Sequence, residues 1–160
     1  MSRVSVDHAA IQLLTPDDAR TPAALDVMAA LRDTIGRGEL EARYRAAFRE
    51  GYQLAALFDG DTCVAVAGFR ISTNLALGRN CYVDDLVTAP DVRSRGHGRI
   101  LHDWLLAYAK QEGCTMLHLD SRTERRRAHR FYLREGHEII AFHFGRVLTD
   151  AAPGDARDAT

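Results

Sequence analysis

A short basic loop with two glycines, Arg93-Ser94-Arg95-Gly96-His97-Gly98, constrains the fold of this chain more than any other segment. The run before it, residues 82–88, is strand-like and ends at Ala89-Pro90, where proline stops a strand ladder. The run after it carries apolar residues at helical spacing, namely Leu101, Trp104, Leu105 and Tyr108. The sequence therefore predicts a strand, a basic glycine loop and a helix in direct succession.

This junction has the chemistry of a diphosphate site. The first N–H groups of a helix are unpaired and lie at the positive end of its dipole, which favours an anion. Gly96 and Gly98 allow close backbone approach and a positive φ, and Arg93 and Arg95 add positive charge. The alternative is a helix terminus with two solvated arginines, since neither the G-x-G-x-x-G nor the Walker spacing is complete.

Two motifs in order give this loop a family context. Arg93, Gly96 and Gly98 match the acyl-CoA loop pattern Q/R-x-x-G-x-G/A, and residues 128–136 match A-x-x-F-Y-x-x-x-G. From Cys81 to His137 the chain resembles the GNAT superfamily of acyl-CoA-dependent N-acyltransferases. One departure is Arg125, where many members carry asparagine seven positions before the tyrosine.

The resemblance implies a mixed α+β fold, with a mostly antiparallel sheet flanked by helices, and acetyl-CoA as co-substrate. It implies that a bulge or splay in the strand turns backbone N–H groups toward the thioester arm. The implied acetyl-CoA-binding residues are Leu86, Val87, Thr88, Arg93, Ser94, Arg95, Gly96, His97, Gly98 and Arg99.

Tyr132 falls on the tyrosine of the second motif and is implied to donate a proton to the departing thiolate. A phenol with a pKa near ~10 is protonated at neutral pH and can hydrogen-bond a developing anion. The alternative is that Ala128, Phe131 and Tyr132 form only the buried stripe of a helix.

The acceptor amine needs a base, because deprotonating a free alkyl ammonium at pH 7 costs about 4–5 kcal/mol. Asp84 and Asp85 directly precede Leu86 and are the candidate carboxylates. Strand alternation places them on opposite faces of the sheet, so one of them at most points into a given cleft. Which aspartate acts stays open, and the fallback bases are His118, His129 and His143.

The remaining elements follow from periodicity and turn signals. A helix start is predicted at Thr15-Pro16-Asp17-Asp18, with Pro22 able to reset it, and Asp59-Gly60-Asp61 predicts a hairpin turn. Strands are predicted over 9–14, 52–58, 62–71 and 115–120, a loop over 74–80, a second helix around 40–48, a helix over 123–135, and one bent strand or a short hairpin over 138–148.

Composition agrees with one compact domain over residues 1–149 and a disordered tail over 150–160. The 160 residues are 46% hydrophobic, and the net charge of −1 gives no general attraction to nucleic acid or to a membrane surface. No apolar run approaches the ~20 residues of a spanning helix, and no signal-peptide core is present. Cys63, Cys81 and Cys114 favour free thiols in the cytoplasm, and no spacing indicates a metal site.

The sequence therefore predicts a cytoplasmic N-acetyltransferase that transfers acetyl from acetyl-CoA to a small-molecule or protein amine. Direct attack is favoured because neither motif contains a cysteine for a covalent relay. Residues 35–48 and 72–80 are the segments expected to select the acceptor. A non-catalytic acyl-CoA-binding module, an enzyme for longer acyl groups, and a homodimer remain open, and the arginines between 122 and 134 are assigned to a solvated helix face.

Overall fold

The computed structural model describes residues 11–148, which divide into two compact units, 11–118 and 119–148. The elements follow the order β1 (Ile11–Leu14), α1 (Thr21–Ala29), α2 (Arg37–Arg49), β2 (Tyr52–Asp59), β3 (Thr62–Asn74), β4 (Gly78–Thr88), α3 (His97–Gln111), β5 (Met116–Leu119) and α4 (Arg126–Arg134). The predicted mixed α+β class is confirmed. The predicted tail over 150–160 lies outside the described residues.

Five strands form one sheet in the order β1-β2-β3-β4-β5. The pairs β1–β2, β2–β3 and β3–β4 are antiparallel, and Gly60, with φ +59°, turns the hairpin at the predicted place. The loop predicted over 74–80 is wrong, because pairing continues until Asn74 lies opposite Gly78. The turn is this short because the Asn74 side chain accepts the N–H groups of Ala76 and Leu77.

Helix α1 begins later than predicted. Residues 15–18 form a turn instead, in which Asp18 Oδ2 accepts the Thr15 N–H at 2.6 Å. The helix starts at Thr21 and carries Pro22 in its first turn, where a missing N–H costs nothing.

Helices α1 and α2 pack with one face of the sheet and form the main core. The Tyr44 hydroxyl in α2 donates to the Leu14 carbonyl at 2.6 Å, which ties this helix to β1. The core members on this side include Leu25, Met28, Leu40, Leu54, Val66 and Val87.

Helix α3 packs with the other face through the predicted stripe. Leu101 and Leu105 are fully buried, and Trp104 and Tyr108 stack on each other at 5.0 Å. Both rings also meet Phe69 of β3 edge-on. The helix prediction from sequence is confirmed, and α3 is thereby fixed behind the strand that precedes it.

The second unit contains the end of β5, helix α4 and a segment without regular secondary structure. Helix α4 starts at Arg126, three residues later than predicted, because a turn closes first from Arg125 N–H to the Arg122 carbonyl at 3.0 Å. Residues 137–148 form neither the predicted strand nor a hairpin, since no strand of the described chain pairs with them.

Between residues 11 and 148 no helix is both long and apolar enough to cross a membrane.

The three cysteines are free thiols, and burial raises the pKa of Cys63 to about 11 and that of Cys81 to about 12.

Candidate active site

The loop between β4 and α3 leads into a helix start whose first backbone N–H groups have no side-chain cap. A 3₁₀ turn over Pro90–Val92 follows the strand, and the chain then takes positive φ at Ser94 (+68°) and at Gly96 (+87°). Gly96 is the N-cap of α3, so no side chain caps this helix and its first N–H groups point out of the turn. Arg93 and Arg95 are exposed beside it.

The first turn of α3 lies close to the end of β4. A Cβ at Gly98 would stand 3.3 Å from the Thr88 Oγ1, so a larger residue here would require the Thr88 side chain to shift slightly. The buried His97 Nδ1 has no hydrogen-bond partner within the described chain. Unpaired N–H groups at a helix start are donors that an anionic ligand would satisfy, and the His97 Nδ1 adds a donor in the tautomer that carries its hydrogen there.

The second half of β4 directs its backbone groups alternately toward β3 and away from it. The Ala89 N–H donates to the Val64 carbonyl of β3 at 2.9 Å. Antiparallel ladders alternate, so the Val87 N–H also points to β3, whereas the Leu86 and Thr88 N–H groups point to the opposite edge. Contacts between the 115–118 segment and β4 involve Arg79, Asn80 and Tyr82, nearer the start of the strand.

A β-bulge at Asp84 corrects the expectation that the two aspartates lie on opposite faces. Val83 lies opposite Phe69 and Asp85 lies opposite Gly68, so Asp84 is an extra residue in β4. A bulge of this kind interrupts alternation, and both carboxylates turn to the face that carries α1 and α2. The bulge precedes Leu86 rather than interrupting residues 86–88.

Asp85 is the anchor of a buried polar cluster. The Arg32 guanidinium donates to its Oδ1 through two nitrogens, and the Tyr52 hydroxyl donates to its Oδ2 at 2.7 Å. The Asp85 and Arg32 side chains are only 10% and 14% exposed, so water does not replace either partner. Burial and the adjacent Asp85 charge raise the pKa of Tyr52 far above its usual range, so it stays protonated.

Asp84 differs in exposure and in bonding. Its side chain is 24% exposed, and the Arg70 Nε lies 3.4 Å from both of its oxygens. The buried Oδ2 accepts no hydrogen bond within the described chain. Burial raises the pKa of Asp84 to about 6, with Arg70 opposing the shift and Asp85 adding to it. With a pKa of about 6, the Asp84 carboxyl is mostly ionised at neutral pH, and it is held by weaker hydrogen bonds than Asp85.

The partners Arg32, Tyr52 and Arg70 were not among the residues predicted from sequence. Arg32 follows α1, Tyr52 is the first residue of β2, and Arg70 lies on β3. Only the fold brings these three residues to the aspartates. Gly68 leaves the space that the Tyr52 side chain occupies beside Asp85, because a Cβ at Gly68 would stand 1.6 Å from the Tyr52 hydroxyl oxygen. A glycine within a strand is the one sequence signal for such close packing.

Tyr132 lies on α4 in the second unit. Its ring meets those of Phe131 and His137 edge-on, with centroids 5.4 Å and 5.6 Å away. Burial raises its pKa to about 12, with Arg125 opposing the shift. The phenol therefore stays protonated throughout the physiological range.

The three fallback histidines have partners of their own. His118 Nε2 lies 2.9 Å from Asn80 Oδ1, and His129 Nε2 lies 2.7 Å from the Arg122 carbonyl. His143 Nδ1 lies 3.2 Å from Asp120. These contacts favour structural roles, and Asp84 remains the stronger candidate base.

Comparison with known proteins decides the family. A sequence model of the Acetyltransferase (GNAT) family matches residues 24–137, which include the bulge, the loop and Tyr132. The chain belongs to the GNAT family. The resemblance drawn from the two motifs is confirmed, and the family region extends well before the first of them.

Two curated N-acetyltransferases match over part of their length. The uncharacterized N-acetyltransferase YhdJ of Bacillus subtilis (strain 168) is 33% identical over 84 residues, 52% of this chain and 59% of that protein. The aminoalkylphosphonate N-acetyltransferase of Salmonella typhimurium is 38% identical over 66 residues, 41% of this chain and 43% of that protein. The chain thus spans roughly half the length of these relatives.

Solved structures confirm the GNAT fold. The ribosomal-protein-alanine N-acetyltransferase from Brucella melitensis superposes with a TM-score of 0.73 at 16% identity, over 89% of this chain and 100% of that one. At this identity the likeness concerns the fold.

Proposed function

We propose that this GNAT protein is an N-acetyltransferase that moves an acetyl group from acetyl-CoA to a primary amine by direct attack. The observation that carries the proposal is the uncapped, left-handed start of α3 directly after β4, within the region that matches the family. When bound, acetyl-CoA supplies the acetyl group as a thioester. The free cysteines agree with a reducing compartment, and we place the enzyme in the cytoplasm.

The loop and the first turn of α3, residues 93–99, would hold the diphosphate. Their N–H groups and the positive end of the helix dipole face outward at Gly96, and Arg93 and Arg95 add charge. The Leu86 and Thr88 N–H groups, which point away from β3, would polarise the thioester carbonyl. The Val87 N–H points toward β3 and takes part in the β-sheet hydrogen bonding, so Val87 would contribute only side-chain packing to the site.

Asp84 is the proposed base. Its carboxylate is ionised at pH 7, partly exposed and short of one hydrogen bond, so it can accept the proton of an acceptor ammonium directly or through water. It also attracts the positive charge of that ammonium. We assign this role to Asp84 rather than to Asp85 because Arg32 and Tyr52 already hydrogen-bond both oxygens of the Asp85 carboxylate.

Tyr132 is the proposed donor to the leaving thiolate. Its raised pKa keeps the proton on the phenol until a strong base develops beside it. The acceptor is a small-molecule or protein amine. The Salmonella relative makes aminoalkylphosphonates a first class to test.

Replacing Tyr132 with phenylalanine should lower kcat by roughly 10²-fold and leave acetyl-CoA affinity nearly unchanged, because only a donor to the leaving group is lost. Steady-state kinetics and calorimetric titration with acetyl-CoA measure the two quantities separately. Phe131→Leu on the same helix is the packing control. Unchanged turnover in Tyr132→Phe would remove this residue from the mechanism.

Replacing Gly96 with valine should abolish acetyl-CoA binding. A Cβ at Gly96 meets no atom within 4 Å, so the effect comes from φ +87°, which a β-branched residue does not adopt. Gly51→Val is the matched control, since Gly51 has φ +94° and equally open space at the end of α2. Both variants lose stability, and only Gly96→Val should lose the ligand. Equal acetyl-CoA affinity in the two would place the diphosphate elsewhere.

Release of free CoA thiol across a panel of amines tests the proposed function. The panel contains aminoalkylphosphonates, polyamines, aminoglycosides and peptides with a free N-terminus. We expect amine-dependent thiol release in the native enzyme, and its loss in Gly96→Val but not in Gly51→Val. Tight acetyl-CoA binding without amine-dependent release would favour the non-catalytic binding module.

A further inference from the structure

Arg70 of β3 is positioned by two neighbours that leave its terminal nitrogens unused. Its guanidinium carbon lies 5.5 Å from the centroid of the Tyr52 ring, and its Nε lies 3.4 Å from both oxygens of the Asp84 carboxylate. The Nη1 and Nη2 groups make no hydrogen bond to any residue that the structure describes, and the side chain is 33% exposed. Arg70 thus keeps two donors for a ligand.

The contrast with Arg32 shows how weakly Arg70 is paired. Arg32 donates through two nitrogens to Asp85, and both side chains are nearly buried, so this pair neutralises its own charges within the fold. Arg70 meets Asp84 through one nitrogen, at a distance longer than the ~2.7–2.9 Å of a strong charge-assisted hydrogen bond. Two opposite charges therefore lie side by side, held by weak contacts only.

The position of Arg70 along the sheet assigns it to the acceptor and not to the diphosphate. Arg70 lies opposite Tyr82, six residues before β4 ends at Thr88. At about 3.3 Å per residue, roughly 20 Å of strand separate it from the end of β4, beyond which the proposed diphosphate loop begins. The residue directly beside Arg70 is instead Asp84, the proposed base.

We infer that Arg70 selects acceptors that carry an acidic group close to the reacting amine. The inference rests on the proposed function, in which Asp84 attracts the acceptor ammonium. An ammonium at Asp84 brings the rest of a small acceptor next to Arg70, where a carboxylate or phosphonate pairs with Nη1 and Nη2 as a fork. A second ammonium in that place would be repelled by the guanidinium. The acceptor class is thus a short zwitterionic amine and not a diamine.

The buried cluster beneath Arg70 gives this selection its precision. The Tyr52 ring that supports the guanidinium is itself fixed, because its hydroxyl donates to Asp85 at 2.7 Å. A stacked guanidinium that is already in place loses little freedom when it binds an acid. Tyr52 is therefore a positioning residue for Arg70, in addition to its role in the stability of the cluster.

Matched amines test the selection by release of free thiol at saturating acetyl-CoA. β-Alanine and β-alaninamide differ only in a carboxylate against a neutral amide, aminoethylphosphonate carries the other acid, and ethylenediamine carries a second ammonium. The assays are run well above pH 6, so that Asp84 is ionised. We expect kcat/KM for the better acid to exceed that for β-alaninamide by roughly 10- to 100-fold, the range for hydrogen bonds to a charged group. Ethylenediamine should be the poorest substrate, and the better acid identifies the group as carboxylate or phosphonate.

Arg70→Gln should remove this preference. Its kcat/KM for the better acid should fall by roughly 10- to 100-fold, mainly through KM, whereas that for β-alaninamide should change little. Arg70→Lys keeps the charge without the fork and should restore part of the preference.

Arg20→Gln is the matched control. Arg20 also lies over an aromatic ring, 4.2 Å from the centroid of Phe58, and it pairs with Asp61 at a similar exposure of 35%. It stands at the hairpin between β2 and β3, whereas Arg70 lies at the other end of that strand pair. The order of the four amines should be unchanged in this variant.

Three results would overturn the inference while leaving the proposed function intact. They are no preference for either acid over β-alaninamide, a preference for ethylenediamine, and an equal loss with all four amines in Arg70→Gln. The last of these would make Arg70 a structural residue only. Thiol release that depends on none of the amines would overturn the proposed function and this inference together.

Discussion

Replacing Asp85 with alanine is expected to lower the free energy of unfolding by about 3 to 5 kcal/mol, the cost of removing one partner from a buried ion pair. The change leaves the Arg32 guanidinium, 14% exposed, without its carboxylate, and it leaves the Tyr52 hydroxyl without its acceptor. Urea denaturation followed by fluorescence of the single tryptophan, Trp104, measures the loss.

Two further variants distinguish this cluster from a general effect of charge on β4. Asp84→Ala should cost much less than Asp85→Ala, because Asp84 is more exposed and meets Arg70 only at 3.4 Å. Gly68→Ala should be destabilised without any loss of charge, since the new Cβ displaces the Tyr52 ring from Asp85. Equal losses for the two aspartates would contradict the separate roles that the structure gives them.

Replacing Asp84 with asparagine is expected to lower kcat/KM by roughly 10²- to 10⁴-fold, the range for removal of a general base. The native enzyme should lose activity as the pH falls through about 6, because protonation of Asp84 removes the base and the negative charge that attracts the ammonium. In Asp84→Asn this acidic limb should disappear from the pH profile. Acetyl-CoA affinity and stability should change little.

The contrast with Asp85→Asn makes this prediction specific. That variant should lose stability and keep the acidic limb near pH 6 when assayed well below its melting temperature. Full activity in Asp84→Asn, or an acidic limb that stays in place, would rule out Asp84 as the base and return His118 or a water molecule to consideration.

The sequence predicted the parts of this site that depend on local chemistry. Pro90 ends β4, Gly96 starts α3, and Leu101 and Leu105 are buried, as the spacing of apolar residues indicated. Each of these outcomes depends on residues within one or two turns of chain. Periodicity and turn chemistry carry that information directly.

The arrangement of the two aspartates could not be predicted in the same way. Simple alternation places Asp84 and Asp85 on opposite faces, and only the register between β3 and β4 reveals the extra residue. The groups that then distinguish them, Arg32, Tyr52 and Arg70, lie many residues away in the chain. A bulge and its distant partners are properties of tertiary packing, which the local pattern does not record.

The segment over 138–148 shows a related limit. Its composition favours a strand, but a strand exists only where a neighbouring strand completes the ladder. Within the described chain none does so.

Thermal unfolding of the native chain with added acetyl-CoA tests the central claim most directly, with ATP and NAD as control ligands. A ligand at 100 times its Kd stabilises the folded state by about 2.7 kcal/mol. For a chain of this length we expect Tm to rise by several degrees with acetyl-CoA alone, and Gly96→Val to show no rise. No shift with acetyl-CoA, or an equal shift with ATP, would contradict the assignment of the α3 N-terminus as an acetyl-CoA site and remove the main support for an acetyltransferase.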